Sequence, residues 1–300
     1  MLPGLRRAAP DLLFRYLSFG GYLQDVFCKS TLRFTSRPRL NDPCDCVVDF
    51  DYSKATVSDW RIYYRGVLDK QPSLTRESKR SILRQFLKRR RFLEEDFQSE
   101  TQLEMQRAAD SCAILSLSES GNNARLWKEY AGEGTGVCLV FNTFLLHQSF
   151  ESSLTKGVPF SVSYFHALPT VHVPVGRDHD HIERVFLTKT LQWAHEREWR
   201  LVLPEQIDEQ VGFIDLEFDP KCLIGVFVGA TATRENEARI RDWASQAPSP
   251  VWVQQVSLDE LSPATDLIEG KARCRMSSSV QRIFNFSAGP AVLPLPVLEE

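Results

Sequence analysis

The chain has no stretch approaching the ~20 consecutive apolar residues that a membrane-spanning helix needs, so none is expected. Residues 1–14 carry Arg6 and Arg7 but no long apolar run, and do not read as a signal peptide. There is no Gly-x-Gly-x-x-Gly behind a strand pattern and no P-loop, which removes the classical nucleotide folds. Gly132, Gly134 and Gly136 alternate in a way that a tight turn explains. Paired Cys-x-x-Cys motifs are also missing. The seven cysteines are scattered, and Cys44 and Cys46 lack zinc-knuckle spacing and a second pair. With no leader, such cysteines are expected to be reduced thiols in the cytoplasm. Charge bias is small: a net charge of -3 gives no indication of a purely electrostatic nucleic-acid binder. No internal repeat is present.

What remains is ordinary for a globular protein. Three hundred residues, 43% hydrophobic and 25% charged, make one large domain or two small ones with a sizeable core. Residues 11–16 read as a strand or a helix start carrying Arg15, and Leu17–Lys29 as helical. Thr31–Ser36 alternates as a strand, and Arg37–Cys46 is a loop with an Asn41-Asp42-Pro43 turn signal. Residues 47–75 give no clear pattern. Arg76–Ala109 is helical, basic in its first half and acidic in its second, and reads as a solvated hairpin whose halves neutralise each other, ahead of the alternative of a nucleic-acid patch. Ser111–Leu117, Val137–Phe141, Pro159–Tyr164, Phe213–Phe218, Leu223–Val228 and Val251–Val256 read as strands. Ala124–Ala131, residues 142–156 and Arg234–Gln246 read as helices. The order is mixed, which favours an α+β fold: a single domain over residues 11–265 with a mixed or antiparallel sheet, flanking helices and an extended C-terminal tail.

The most informative stretch is Leu187–Pro204. From Ile182 to Trp193 its apolar spacing is helical, with Lys189 one turn before Trp193. From Glu196 it alternates as a strand closed by Pro204. A strand would place Glu196, Glu198 and Arg200 on one face. Two neighbouring carboxylates raise one pKa or demand a cation, and Arg200 is the nearby candidate. Two readings stand: a site that handles a sugar hydroxyl or a developing cation, or an edge strand with solvated charges. Trp127 and Tyr130 share a helical face and either stack on a ligand ring or pack in the core. Lys189 meets a phosphate, is solvated, or pairs with Glu196. His172, His179 and His181 lie in a polar loop, and no metal site is expected. Asp42, Asp45, Asp49 and Asp51 are the only clustered carboxylates that a metal-dependent nuclease would want.

Several ordered segments carry a resemblance: LFRY at Leu13–Tyr16, LRFTSRPRLNDP at Leu32–Pro43, ILSLSES at Ile114–Ser120, NNARLWKEYAGEGTGVCLVF at Asn122–Phe141, TKTLQWAHEREWRL at Thr188–Leu201 and IGVFVGATAT at Ile224–Thr233. Together they resemble the bacterial family called domain of unknown function 2971, over about residues 11–265. Its members resemble single-domain cytosolic accessory or defence proteins.

A more distant likeness is to ADP-ribosyltransferases of the Arg–Ser–Glu type. It rests on Arg15, on Ser116 and Ser118, and on Glu196-Arg197-Glu198. That likeness implies NAD as substrate and an unknown macromolecular acceptor, and suggests a toxin or antiphage effector. Glu198 would stabilise an oxocarbenium ion and Glu196 would position or activate the acceptor. Arg15 would grip the pyrophosphate or ribose, and the serine would order the glutamate. The alternative is a non-catalytic nucleotide- or protein-binding module, with a nuclease third. Met276–Glu300 resembles the N-terminus of phosphoserine aminotransferase. It lacks the Schiff-base lysine, so no pyridoxal phosphate is expected. Residues 271–300 are expected to contact the domain little.

Overall fold

The structure is a computed structural model that describes residues 7–151, 158–174, 184–203 and 207–256. The C-terminal tail, with its expected lack of contacts, lies outside the described residues, as do His179 and His181. The strands are β1 (Leu12–Leu17), β2 (Thr31–Thr35), β3 (Asp49–Asp51), β4 (Ala113–Ser118), β5 (Val137–Asn142), β6 (Phe160–Ser161), β7 (Ser163–Phe165), β8 (Thr170–His172), β9 (Thr188–Thr190), β10 (Glu198–Leu203), β11 (Phe213–Glu217), β12 (Leu223–Val228) and β13 (Trp252–Gln255). The helices are α1 (Gly21–Cys28), α2 (Val57–Asp69), α3 (Arg76–Arg89), α4 (Glu95–Asp110), α5 (Ala124–Glu129), α6 (Thr143–Glu151) and α7 (Arg234–Gln246). The fold is α+β. The main sheet is mixed: it runs β11-β2-β4-β1-β5-β12-β13, with β10 paired to β4 and β6, and only β12 and β13 run parallel. Among the described residues no helix is long and apolar enough to cross a membrane.

Period-two alternation gives the sheet two faces. Leu13, Leu115, Leu139 and Leu201 bury themselves on one, beneath Phe27 of α1, Leu146 of α6 and Ile240 of α7. Phe14, Tyr16, Cys138 and Val140 occupy the other, covered by Leu126 and Trp127 of α5. The turn between α5 and β5 needs its glycines. Gly132 and Gly134 have φ of +56° and +82°, and a Cβ on Gly136 would lie 2.2 Å from the Leu17 carbonyl oxygen.

β4 is the branch point. Along one edge it pairs with all of β10, from Glu198 opposite Ser118 to Leu203 opposite Ala113. Along the other it meets β1 at Phe14–Ser118 and β2 at Thr35–Ile114. Between those two bridges β1 and β2 diverge and the sheet splits. Arg15 spans the split, donating from Nη2 to the Arg33 carbonyl at 3.1 Å.

A second core lies between α2, α3 and α4. Trp60 stacks on Phe92, and Tyr64 on Phe86, with ring centroids 5.4 and 3.9 Å apart. The expected helical region is two helices, divided where Arg90 turns left-handed (φ 53°) and ends α3. Among the described residues no direct ion pair joins α3 to α4. α3 packs on α2, and the ion pair joining the two sequence halves is Arg91–Glu94, inside the connector. Residues 47–75 hold β3 and α2, the latter started by a reciprocal Thr56–Asp59 capping box. The strand expected at Pro159–Tyr164 is two short strands, β6 and β7.

Candidate functional site

The local backbone around Glu196 differs from the expected continuous strand. Lys189 sits on β9 rather than on a helix, a 3-10 turn covers Leu191–Glu196, and β10 begins only at Glu198. Arg197, between the two glutamates, has a left-handed φ of 46°. An l-residue rarely adopts that region, and such conformations persist where the surrounding structure holds them. Glu196 and Glu198 therefore do not share a face by strand alternation. The reversal at Arg197, tied outward by its bond to Glu119 at 2.7 Å, brings the two carboxylates to one place by another route.

There they meet three other buried charges. Arg200, with no exposed surface, donates to both oxygens of Glu198 (Nε–Oε1 2.6 Å, Nη2–Oε2 2.9 Å) and to both of Asp45 (Nη1–Oδ1 2.8 Å, Nη2–Oδ2 2.6 Å). Its Nη1 also reaches the Phe186 carbonyl at 2.9 Å. Lys189 places its ammonium between Glu196 Oε2 (2.6 Å), Glu198 Oε2 (3.3 Å) and Asp45 Oδ2 (3.3 Å), and 4.8 Å from the Trp193 ring centroid. The Tyr130 hydroxyl donates to Glu196 Oε1 and accepts from Asn41 Nδ2 at 2.6 Å. Ser116 lies on the Glu198 side of the site and favours its ionised form, and the Ser118 hydroxyl donates to the Glu196 backbone carbonyl at 2.7 Å.

The environment treats the two glutamates differently. Burial opposes ionisation of Glu198, but the Arg200 guanidinium and the Lys189 ammonium outweigh it and pull its pKa down to about 2. Glu196 goes the other way: burial and the neighbouring Glu198 charge raise it, against the pull of Lys189. Burial also raises the Tyr130 hydroxyl, helped by Glu196. One carboxylate is therefore anionic at neutral pH, while the other is moved toward the range of a proton acceptor.

These groups line a cavity of ≈ 270 Å³ at the split in the sheet. Arg15, Ser116, Ser118, Tyr130, Lys189, Glu196 and Glu198 all border it. Register explains part of this. Glu198, Ser118 and Phe14 lie opposite one another on three adjacent strands, so the backbone beside Arg15 is about 10 Å from Glu198; Arg15 itself, opposite Leu139, alternates onto the other face and borders the cavity from there, beside Tyr22, Arg33 and Asp215. The Arg15 guanidinium is buried, which lowers its pKa, and among the described residues its Nε and Nη1 have no hydrogen-bond partner. Trp127 is in the core, edge-on to Tyr16 at 5.3 Å, and does not border the cavity. Its stacking role is therefore replaced by packing, while Tyr130 contributes its hydroxyl rather than its ring.

Arg39 is a site residue that the sequence did not announce; Asn41, expected in a turn or a ligand loop, and Asp45, weighed only as a nuclease carboxylate, also border the cavity. Three of the four aspartates have separate partners. Asp45 binds Arg200, Asp42 accepts from the Cys44 amide, and Asp51 pairs with Ser53 and His172. Among the described residues no group of three or more His, Cys, Asp or Glu could hold a metal ion.

The family described as Protein of unknown function (DUF2971) matches residues 126–201. The matched segment supports the likeness to that family and carries Tyr130, Lys189, Glu196, Glu198 and Arg200. No curated protein and no solved structure matches the chain.

Proposed function

We propose that the cavity cleaves NAD at the nicotinamide–ribose bond and passes the ADP-ribosyl group to a macromolecular acceptor. The observation that carries this reading is the meeting of Arg15, Ser116, Ser118, Glu196 and Glu198 around one cavity. The cavity lies just below the roughly 300–1,000 Å³ of small-molecule sites, which fits a nucleoside half with the rest at the mouth. Arg15, whose Nε and Nη1 have no partner among the described residues, and Arg39 are the cations suited to the diphosphate. Glu198, held ionised, would stabilise positive charge growing on the ribose as nicotinamide leaves with the bonding electron pair. The acceptor's hydroxyl or amine then bonds to that ribose carbon, and its proton passes to Glu196.

A second reading, a binding module without turnover, is favoured by one observation: both Glu198 oxygens are already taken by Arg200, with Lys189 adding to one. Incubation with NAD labelled in the nicotinamide, with cell extract as acceptor, separates the two. Turnover predicts release by the wild type and release slower by about 10²-fold or more in Glu198→Gln at retained NAD affinity. Wild-type binding without release supports the second reading. Neither binding nor release removes both.

A further inference from the structure

Among the described helices α3 carries the largest excess of one charge sign. We propose that α3 is a docking face for the phosphate backbone of a nucleic acid. The helix carries Arg76, Lys79, Arg80, Arg84, Lys88 and Arg89 against the single acid Glu77, in a chain whose net charge is -3. Arg76, Arg80, Arg84 and Lys88 follow one another at four-residue intervals, and all are exposed. Such a row advances about 6 Å per step and about 18 Å from end to end. Among the described residues these four and Arg89 form no ion pair, with the acids of α4 or with any other.

Unpaired, solvated cations in a row suit a polyanion, whose condensed counterions they displace on binding. Arginine predominates, and its planar fork matches phosphate oxygens. A membrane surface fits less well. An interfacial helix must offer an apolar face to lipid, whereas α3 turns Ile82, Leu83, Phe86 and Leu87 onto the core around Trp60 and Tyr64. The exposed row holds no aromatic side chain on which bases could stack, so the contact it offers is to the backbone and independent of sequence. None of these residues borders the cavity, so the proposal does not depend on the NAD reading.

The test is fluorescence anisotropy of the full chain with labelled mixed-sequence duplex DNA and duplex RNA over a salt series, with phosphatidylserine vesicles as a separate probe. The wild type is expected to bind at least one duplex, with log K falling linearly against log salt at a slope of about -3 for three to four phosphates. The triple variant Arg80→Glu, Arg84→Glu, Lys88→Glu is expected to bind tenfold or more weaker with a flatter slope. Arg239→Glu on α7 should leave both unchanged. Should the reversal fail to fold, the triple glutamine variant, checked by its melting curve, must weaken binding in the same direction. Absence of binding to either duplex at low salt, equal affinity in the folded triple variant, or binding to vesicles alone overturns the proposal.

Discussion

The cavity floor and the outer face of α3 hold the same kinds of side chain under opposite conditions. In the floor, Asp45, Lys189, Glu196, Glu198 and Arg200 are all buried, and every one is ion-paired. On α3, Arg76, Arg80, Arg84 and Lys88 are exposed. Burying a charge costs several kcal/mol, which only close pairing and hydrogen bonding offset, so the floor's geometry is tightly determined. Solvated arginines carry no such penalty, and their pattern is free to answer to something outside the molecule. Buried charge in this chain fixes positions; exposed charge sets attraction at a distance.

The comparison breaks most visibly at Arg200. Arg200→Met leaves Asp45 and Glu198 with Lys189 alone as their shared cation, and should cost about 3–5 kcal/mol in urea unfolding. A loss below about 1 kcal/mol would mean that the floor is not held by this residue. Next comes Glu198. Its folded pKa of about 2 lies below the ordinary 4.5, so its stabilisation is complete above pH 4.5 and drains away as pH falls toward 2. That contribution is on the order of 3 kcal/mol. Glu196, whose pKa is raised, acts in the opposite sense: its contribution is present at low pH and is lost as pH rises through its folded value. Melting of the wild type and of Glu198→Gln at pH 6 and pH 3 should show a smaller acid-induced drop in the variant, which is the less stable of the two at pH 6. Parallel curves would contradict the assignment.

A smaller effect is expected at Tyr130. Tyr130→Phe removes a donor from a buried carboxylate oxygen, costs roughly 1–3 kcal/mol and raises Glu196 further. Carbon-13 NMR of labelled glutamate would follow that shift, and an unmoved Glu196 resonance would argue against the contact. The smallest effect belongs to the other region. Arg84→Glu should change stability by no more than about ±0.5 kcal/mol, because nothing buried depends on it. A larger loss in thermal unfolding would place α3's charges in the fold's own energetics and erase the contrast.

Legibility follows the same division between local and long-range causes. Strands β2, β4, β5 and β12 were readable because alternation or an apolar run is a local signal, as was the amphipathic spacing of α7. Two signals in residues 47–75 went unread: Thr56 three positions before Asp59, and Trp60, Tyr64 and Leu68 at four-residue spacing, all buried in α2. The pairing of Glu196 and Glu198 was anticipated, but by the wrong geometry, since nothing in the identity of an arginine announces a left-handed φ. Lys189 beside Trp193 held although the helix expected to join them is a short strand and a 3-10 turn. Asp45 could not have been found by spacing. It meets Arg200 across 155 positions, through the way the loop after β2 folds back over the split.

The central claim is that the split between β1 and β2 is where NAD is held. A crystal structure of the full chain grown with saturating NAD tests it most directly. The account predicts density in the cavity bordered by Arg15, Ser116, Glu196 and Glu198, with the diphosphate on the arginine side and the nicotinamide ribose on the glutamate side. NAD bound elsewhere, or a clear cavity at saturating NAD, would contradict it.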